Sequence, residues 1–224
     1  MNQKVAMVGT PCEIMAASKI QHYTESVIDF KIGLFCMENF SYSYFTELLK
    51  EYNITMDEIE KFRIEKGKAF IFLKNGKLEK IPLSIAKSVV RKNCHICAEL
   101  SSETSDISIG SIGSEDGWST IIIRTQKGQD VINNAISQGY IEAHDLTESQ
   151  LKLLNKIADK KIQNNLETIE EREYHARPVL YQREISDNAI LDEINNSNFL
   201  DLRKYVIEVG ACVLCGACEF ACPD

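Results

Sequence analysis

Val5–Lys19 reads VAMVGTPCEIMAASK, and the order of residue types in this stretch decides the fold class. Val5 to Val8 is a short apolar, strand-forming run, and Gly9 breaks it. Thr10 suits a helix N-cap, Pro11 the first helical position and Glu13 the third position of a capping box, so a helix to about Lys19 follows. A strand that turns directly into a helix opens an α/β pattern.

The same alternation continues outward. Val27 to Phe35 reads as a second strand and Ser43 to Tyr52 as a helix; Thr55 with Glu58 makes a further capping box that opens a short helix. Phe70 to Leu73 and Leu78 to Ile81 flank Asn75-Gly76, a strong hairpin signal. Asp106 to Ile109 reads as a buried strand, Ser119 to Arg124 as another, and Gln129 to Gln138 as a helix stopped by Gly139. Tyr140 to Ala143 reads as a last strand. Thr147 with Gln150 caps a longer helix with Leu151, Leu154, Ile157, Ala158 and Ile162 on one face. Arg172 to Arg183, polar and interrupted by Pro178, reads as a linker, and Ile190 to Tyr205 as a helix. The expected fold is α/β, a mixed sheet with flanking helices, plus a helical tail and a partial ferredoxin-like segment. The expected domains are a core over residues 1–145, a helical tail and linker over 146–205, and the start of an iron–sulfur module over 206–224.

Composition sets bounds on function. The 224 residues carry a net charge of −8. Little basic surface is available for phosphates, which speaks against nucleic acid as a partner. No apolar run reaches the ~18 residues of a membrane span, and the N-terminal apolar stretch is too short for a secretory signal, so a cytoplasmic protein is expected. Eight cysteines in a reducing compartment point to metal rather than to disulfides.

Four of those cysteines end the chain. Cys212, Cys215, Cys218 and Cys222, followed by Pro223, form the C-x2-C-x2-C-x3-C-P run of a bacterial-type 4Fe-4S ferredoxin. Small Gly216 and Ala217 let the backbone wrap a cluster closely. A zinc knuckle is the alternative, though zinc more often takes two C-x2-C pairs across a longer loop. In two-cluster ferredoxins the fourth cysteine serves the other cluster. Cys212, Cys215 and Cys218 are thus expected on one cluster, and Cys222 on a second whose other ligands lie beyond Asp224 in a longer protein.

The other four, Cys12, Cys36, Cys94 and Cys97, are scattered. Cys12 sits at a helix N-terminus, where the dipole favours a thiolate. Cys36 follows a strand, and Cys94-His95-Ile96-Cys97 lies in a loop. A redox dithiol, a zinc site, buried structural thiols and a single 4Fe-4S cluster all remain open on spacing. Ser105–Thr125, SDISIGSIGSEDGWSTIIIRT, is the second chemical feature. Its glycines and small residues let backbone amides approach a phosphate, with Arg124 offering charge and Trp118 an aromatic surface; a plain turn is the alternative. Gly9-Thr10-Pro11 is likewise either an anion site or an ordinary helix start. The four histidines have no ligand-like spacing, and no Ser/His/Asp or paired-carboxylate site is needed; catalytic side chains are unknown.

Taken together, VGTPCEIMA at 8–16, GLFCMENF at 33–40, IEKGKAFIF at 64–72, the C-H-I-C pair, the 105–125 stretch and the lysine-rich helix near Lys156 to Lys161 resemble the coenzyme F420 hydrogenase/dehydrogenase beta subunit family. The resemblance runs in order from about Val5 to about Lys161. It implies an oxidoreductase that passes a hydride between coenzyme F420 and FAD, and single electrons onward through a 4Fe-4S cluster to other subunits of a hydrogenase or dehydrogenase complex. It assigns the core cluster to Cys12, Cys36, Cys94 and Cys97. It makes Gly9, Thr10 and Pro11, and Gly110, Ser111, Gly113, Ser114, Gly117, Trp118, Ser119 and Thr120, the favoured FAD contacts. Arg124 and Asn39 follow as polar contributors, and Lys66 and Lys68 as contacts to phosphate or anionic coenzyme. Two departures stand out: the family's glycine-rich portion ahead of the VGTPC region is missing, and a ferredoxin run is present as in dehydrogenase-type relatives. An iron–sulfur relay without flavin, and a relative acting on another substrate, are the rival readings.

Overall fold

The structure, a computed structural model, describes residues 4–23, 28–65 and 67–174. The terminal cysteine run, the expected helix at 190–205 and Lys66 lie outside the described residues. The described residues divide into two compact units, one within Met1–Met37 and Ile96–Asp224, the other Glu38–His95. The single expected core over 1–145 is thus interrupted by a unit of its own.

The first unit carries the α/β sheet. β1 (Ala6–Gly9) passes into α1 (Pro11–Tyr23), which returns the chain to β2 (Phe30–Leu34). β6 (Ile107–Gly110) and β7 (Thr120–Ile123) complete a four-stranded sheet in the order β1-β2-β6-β7. β1, β2 and β6 are parallel, and β7 is antiparallel to β6, with Gly110 opposite Thr120. The 9–12, 35–37 and 110–120 connections therefore all leave the carboxyl edge of the parallel strands. In open α/β sheets that edge is where ligands bind.

Asp106 fixes the entry to β6. Its Oδ2 accepts the Lys31 amide at 2.8 Å and its Oδ1 the Thr125 hydroxyl at 2.7 Å. Thr125 in turn caps α4 (Gln126–Ser137) by accepting the Gly128 amide. At Gly128 an added Cβ would stand 2.5 Å from the Asp106 carbonyl, so only glycine lets α4 lie this close to β6. α4 closes at Gly139 in the left-handed region, and the Tyr140 amide reaches the Ala135 carbonyl. Residues 140–143 form no strand: the cap takes the Tyr140 amide, and the residue is left 78% exposed. α5 (Glu148–Tyr174) starts as expected, the Thr147 amide and hydroxyl both donating to the Gln150 side chain. It then runs on past Arg172, into the stretch expected as a linker.

The second unit is a helix on a small antiparallel sheet. α2 (Tyr42–Glu51) is followed by β3 (Ile59–Glu65), β4 (Lys68–Leu73) and β5 (Leu78–Pro82), then by α3 (Leu83–Lys87). β4 and β5 form the hairpin marked by Asn75-Gly76, with Gly76 at φ +83°. Phe45, Leu48, Leu49, Ile54, Ala69, Ile71, Leu73, Ile81, Ala86 and Val89 bury a common core. The Thr55–Glu58 capping box is present and opens a single 3-10 turn, Met56–Glu58.

Candidate functional site: cysteine loops at the sheet edge

Cys12 lies exposed in the first turn of α1. Its Sγ stands 3.3 Å from the Thr10 hydroxyl. Thr10 and Glu13 interact as the capping pattern demands: the Thr10 amide donates to Glu13 Oε2 at 2.7 Å and its hydroxyl at 3.0 Å. Pro11 has no N–H to offer, and the Thr10 amide and hydroxyl are both engaged by the Glu13 carboxylate.

Cys36 lies two residues beyond β2. Its amide donates to the Leu100 carbonyl at 2.9 Å, and the Phe35 amide to Ile109 at 2.8 Å. This pairing draws the Cys97–Leu100 segment alongside Cys36. Gly33 permits it from below, since an added Cβ there would lie 2.1 Å from the Ser102 Cβ. Ser102 holds φ +57° and is fully buried; its carbonyl accepts the Ser105 amide and hydroxyl and the Ser108 hydroxyl.

Two side chains of α5 close over these loops. The Lys161 ammonium donates to the carbonyls of Cys36 and Glu99, each at 2.6 Å, and the residue is only 2% exposed. One turn later, Asn165 Nδ2 donates to the Cys97 carbonyl at 2.7 Å. The Cys97 thiol is 3.6 Å from the Glu99 carbonyl. Burial is the main force pushing the Glu99 carboxyl above its ordinary value, with the Glu103 amide opposing that rise and the Glu103 carboxylate adding to it. Glu99 Oε2 is buried with no hydrogen-bond partner.

Cys94 belongs to the second unit, inside a 3-10 turn, Lys92–Ile96, rather than a loop. Its sulfur accepts the backbone amide of Asn39 at 3.3 Å. The Asn39 carbonyl takes the Arg91 amide at 2.9 Å, and the Asn39 side chain caps the Phe40 amide. Asn39 therefore serves the cysteine through its backbone, while its side chain is turned to its own chain. Amides aimed at sulfur are a recognised means of tuning iron–sulfur clusters.

In the 110–120 loop, the single Ser114 hydroxyl proton is shared between the carbonyls of Ser111 and Trp118, each 3.0 Å from Oγ. Gly113 and Gly117 adopt φ +89° and +91°. The half-exposed Trp118 ring lies 4.4 Å from that of His144. Thr120 Oγ1 is buried without a partner. Ser119 is exposed beside it, and Lys68 is exposed at the start of β4. Arg124 has its Nε on Ser108 and its Nη2 on Ser101, so most of the guanidinium braces the serine cluster.

Among the described residues four cysteines carry free thiols, Cys12, Cys36 and Cys97 in the first unit and Cys94 in the second, and thiolates are the donors that iron–sulfur clusters take. Among the described residues no three His, Cys, Asp or Glu side chains stand grouped as they would around a single ion. A cubane seats its sulfurs on four separate irons, which spaces them more widely than ligands of one ion. The orphan Thr120 hydroxyl and the left-handed glycines of the 110–120 loop fit a flavin's polar edge.

Lys161, Asn165 and Glu99 were not singled out as site residues from sequence. A signal for two of them was present: Lys161 and Asn165 continue the Leu154–Ala158 stripe of α5 at helical spacing, where polar residues are out of place unless they have buried partners.

The family model for the C terminus of the beta subunit of coenzyme F420 hydrogenase/dehydrogenase matches residues 2–149. The chain is 39% identical over 188 residues to a coenzyme F420 hydrogenase subunit beta of Methanococcus voltae, an alignment covering 80% of this chain and 66% of that protein. It is 33% identical to a coenzyme F420-dependent sulfite reductase of Methanocaldococcus jannaschii, over 73% of this chain and 29% of that one. A chain of the F420-reducing [NiFe] hydrogenase complex from Methanosarcina barkeri superposes with a TM-score of 0.71 at 35% identity, over 77% of this chain and 62% of that chain. The chain thus spans less than two thirds of these relatives' length.

Proposed function

This chain belongs to the coenzyme F420 hydrogenase/dehydrogenase beta subunit family, and on that premise we propose that it is one subunit of an oxidoreductase and moves electrons between coenzyme F420 and partner subunits. FAD and a core 4Fe-4S cluster are its proposed cofactors, held at the carboxyl edge of the sheet. The observation that carries this reading is the union of the Cys36 and Cys97 loops, tied amide to carbonyl at 2.9 Å and clasped by the buried Lys161.

Bound FAD would supply hydride exchange with coenzyme F420, and a cluster would supply one-electron transfer, which is chemistry the cofactors own. The protein's part is positional and electrostatic. Cys12, Cys36, Cys94 and Cys97 would hold the iron. The Asn39 amide on the Cys94 sulfur stabilises negative charge there. The 110–120 loop would hold the flavin, with the Thr120 hydroxyl and backbone amides as polar contacts and Trp118 as an aromatic face. Arg124 keeps that loop's strand fixed against the serine cluster. Cys212, Cys215, Cys218 and Cys222 are proposed to continue the electron path toward a partner. A thiol-rich site of this kind suits a reducing cytoplasm, and among the described residues no helix is long and apolar enough to cross a membrane.

The test is an anaerobic titration of the chain, reconstituted with iron, sulfide and FAD, with reduced F420. Flavin bleaching followed by loss of iron–sulfur absorbance supports the proposal. An iron–sulfur spectrum from which FAD washes away, unaffected by reduced F420, overturns it in favour of a flavin-free relay.

A further inference from the structure

We infer that Lys161 and Asn165 are positioning residues for the core cluster: one turn of α5 locks the backbone that carries Cys36 and Cys97 and places a buried cation on the Cys36 and Glu99 carbonyls. The inference rests on the reading that these cysteines hold iron.

The geometry is specific. Lys161 and Asn165 are four residues apart and so lie on one face of α5. Between them they take three carbonyls: Cys36 and Glu99 by Lys161 at 2.6 Å, Cys97 by Asn165 at 2.7 Å. Two of the three belong to the cysteines themselves. An ammonium that is 2% exposed is costly to bury without strong acceptors, so its place is argued by what it holds. Its charge is poorly screened there. A cluster with four thiolate ligands is net anionic, and a fixed cation nearby favours the extra electron of the reduced form. Partners that orient metal ligands from behind commonly control affinity and potential. The helix also supports the other cofactor loop: the Gln150 carbonyl and Leu154 Cβ lie 3.1 and 3.7 Å from where a Gly113 side chain would begin. A single helix thus backs both the cysteine loops and the glycine loop.

The experiment compares Lys161→Met, Asn165→Ala and the exposed control Lys160→Met in a full-length chain whose Cys212, Cys215, Cys218 and Cys222 are serine, so that only the core can hold iron. Hydrogen exchange is read first, without iron. Lys161→Met is expected to speed exchange at Cys36 and over residues 97–100 by at least tenfold, with Lys160→Met unchanged. With iron loaded, release to a chelator is expected to quicken at least fivefold. The reduction equilibrium should shift about tenfold toward the oxidised form, or ~59 mV for one electron. Asn165→Ala should speed exchange near Cys97 and iron release while leaving the potential near wild type, and it serves if Lys161→Met does not fold. Exchange, iron release and potential all within twofold of the Lys160→Met control would overturn the inference. If the wild-type core holds no iron, the cluster reading falls by itself, and unchanged exchange in the iron-free variants still counts against the positioning role.

Discussion

Replacing Gly33 by alanine tests the packing on which the cysteine loops depend. Gly33 lies in β2, three residues before Cys36. A Cβ at this position would fall 2.1 Å from Ser102 Cβ, 2.3 Å from Ser102 Oγ and 3.0 Å from Ser105 Oγ. Carbon atoms pack at about 3.5–4.0 Å, so the loop at Ser102 must retreat by roughly 1.5 Å. Ser102 cannot simply swing aside, because its Cβ is fixed to a backbone whose carbonyl accepts three hydrogen bonds. Overpacking of this kind costs about 1–3 kcal/mol, and we expect the upper end, about 3 kcal/mol. The usual gain from replacing a strand glycine is about 0.5–1 kcal/mol in the opposite direction, so the sign alone is informative. With a urea slope of about 2 kcal/mol/M the midpoint should fall by about 1.5 M. The loop's retreat should also weaken the Cys36–Leu100 hydrogen bond and lower iron retention. Gly33→Ala combined with Ser102→Gly removes the two closest atoms, and glycine tolerates the φ of +57°. The double variant should recover most of the loss, giving a coupling of about 2 kcal/mol in a double-mutant cycle. A single variant as stable as wild type, or an uncoupled pair, would refute the placement of Ser102 against β2.

Three further outcomes are expected. Ile71→Ala, at a fully buried position in the second unit's core, should cost about 2–5 kcal/mol by urea unfolding; a loss below about 1 kcal/mol would contradict that core. Because burial raises the Glu99 carboxyl above 4.5, folding takes up a proton between that value and the raised one. Stability conferred on the protonated form is present at low pH and lost as pH rises through the raised value. Glu99→Gln should therefore unfold at higher temperature than wild type near neutral pH, the gap closing toward pH 4.5; a gap that widens on acidification would reverse the assignment. Gly113→Ala places a side chain at φ +89° and 3.1 Å from the Gln150 carbonyl. At about 1–2 kcal/mol for left-handed strain, FAD affinity by calorimetry should fall about tenfold, and unchanged affinity would separate this loop from the flavin.

Local chemistry made much of the fold readable. The Thr10–Glu13 pair, the Asn75-Gly76 hairpin, the Gly139 cap and the Thr147–Gln150 cap each depend on residues within a few positions of one another. β3 escaped because it pairs only with β4 and carries Glu60, Lys61, Arg63 and Glu65 among its apolar residues, so no clean alternation marks it. Tyr140–Ala143 misled because an aromatic and an isoleucine resemble a strand when the preceding helix cap is ignored. The separate unit at 38–95 was hidden because a chain that leaves a sheet and returns to it leaves no compositional mark. The cysteines were legible as candidates, and their support was not: Lys161 reaches Cys36 across 125 residues of sequence, a separation no local pattern reports.

The most direct measurement is the iron and acid-labile sulfide content of the anaerobically reconstituted chain with serine at Cys212, Cys215, Cys218 and Cys222. A core 4Fe-4S cluster predicts about four irons and four sulfides per chain, falling to near zero when Cys94 and Cys97 are also serine. No iron in the first protein, or iron that survives the second replacement, would contradict a cluster held by Cys12, Cys36, Cys94 and Cys97.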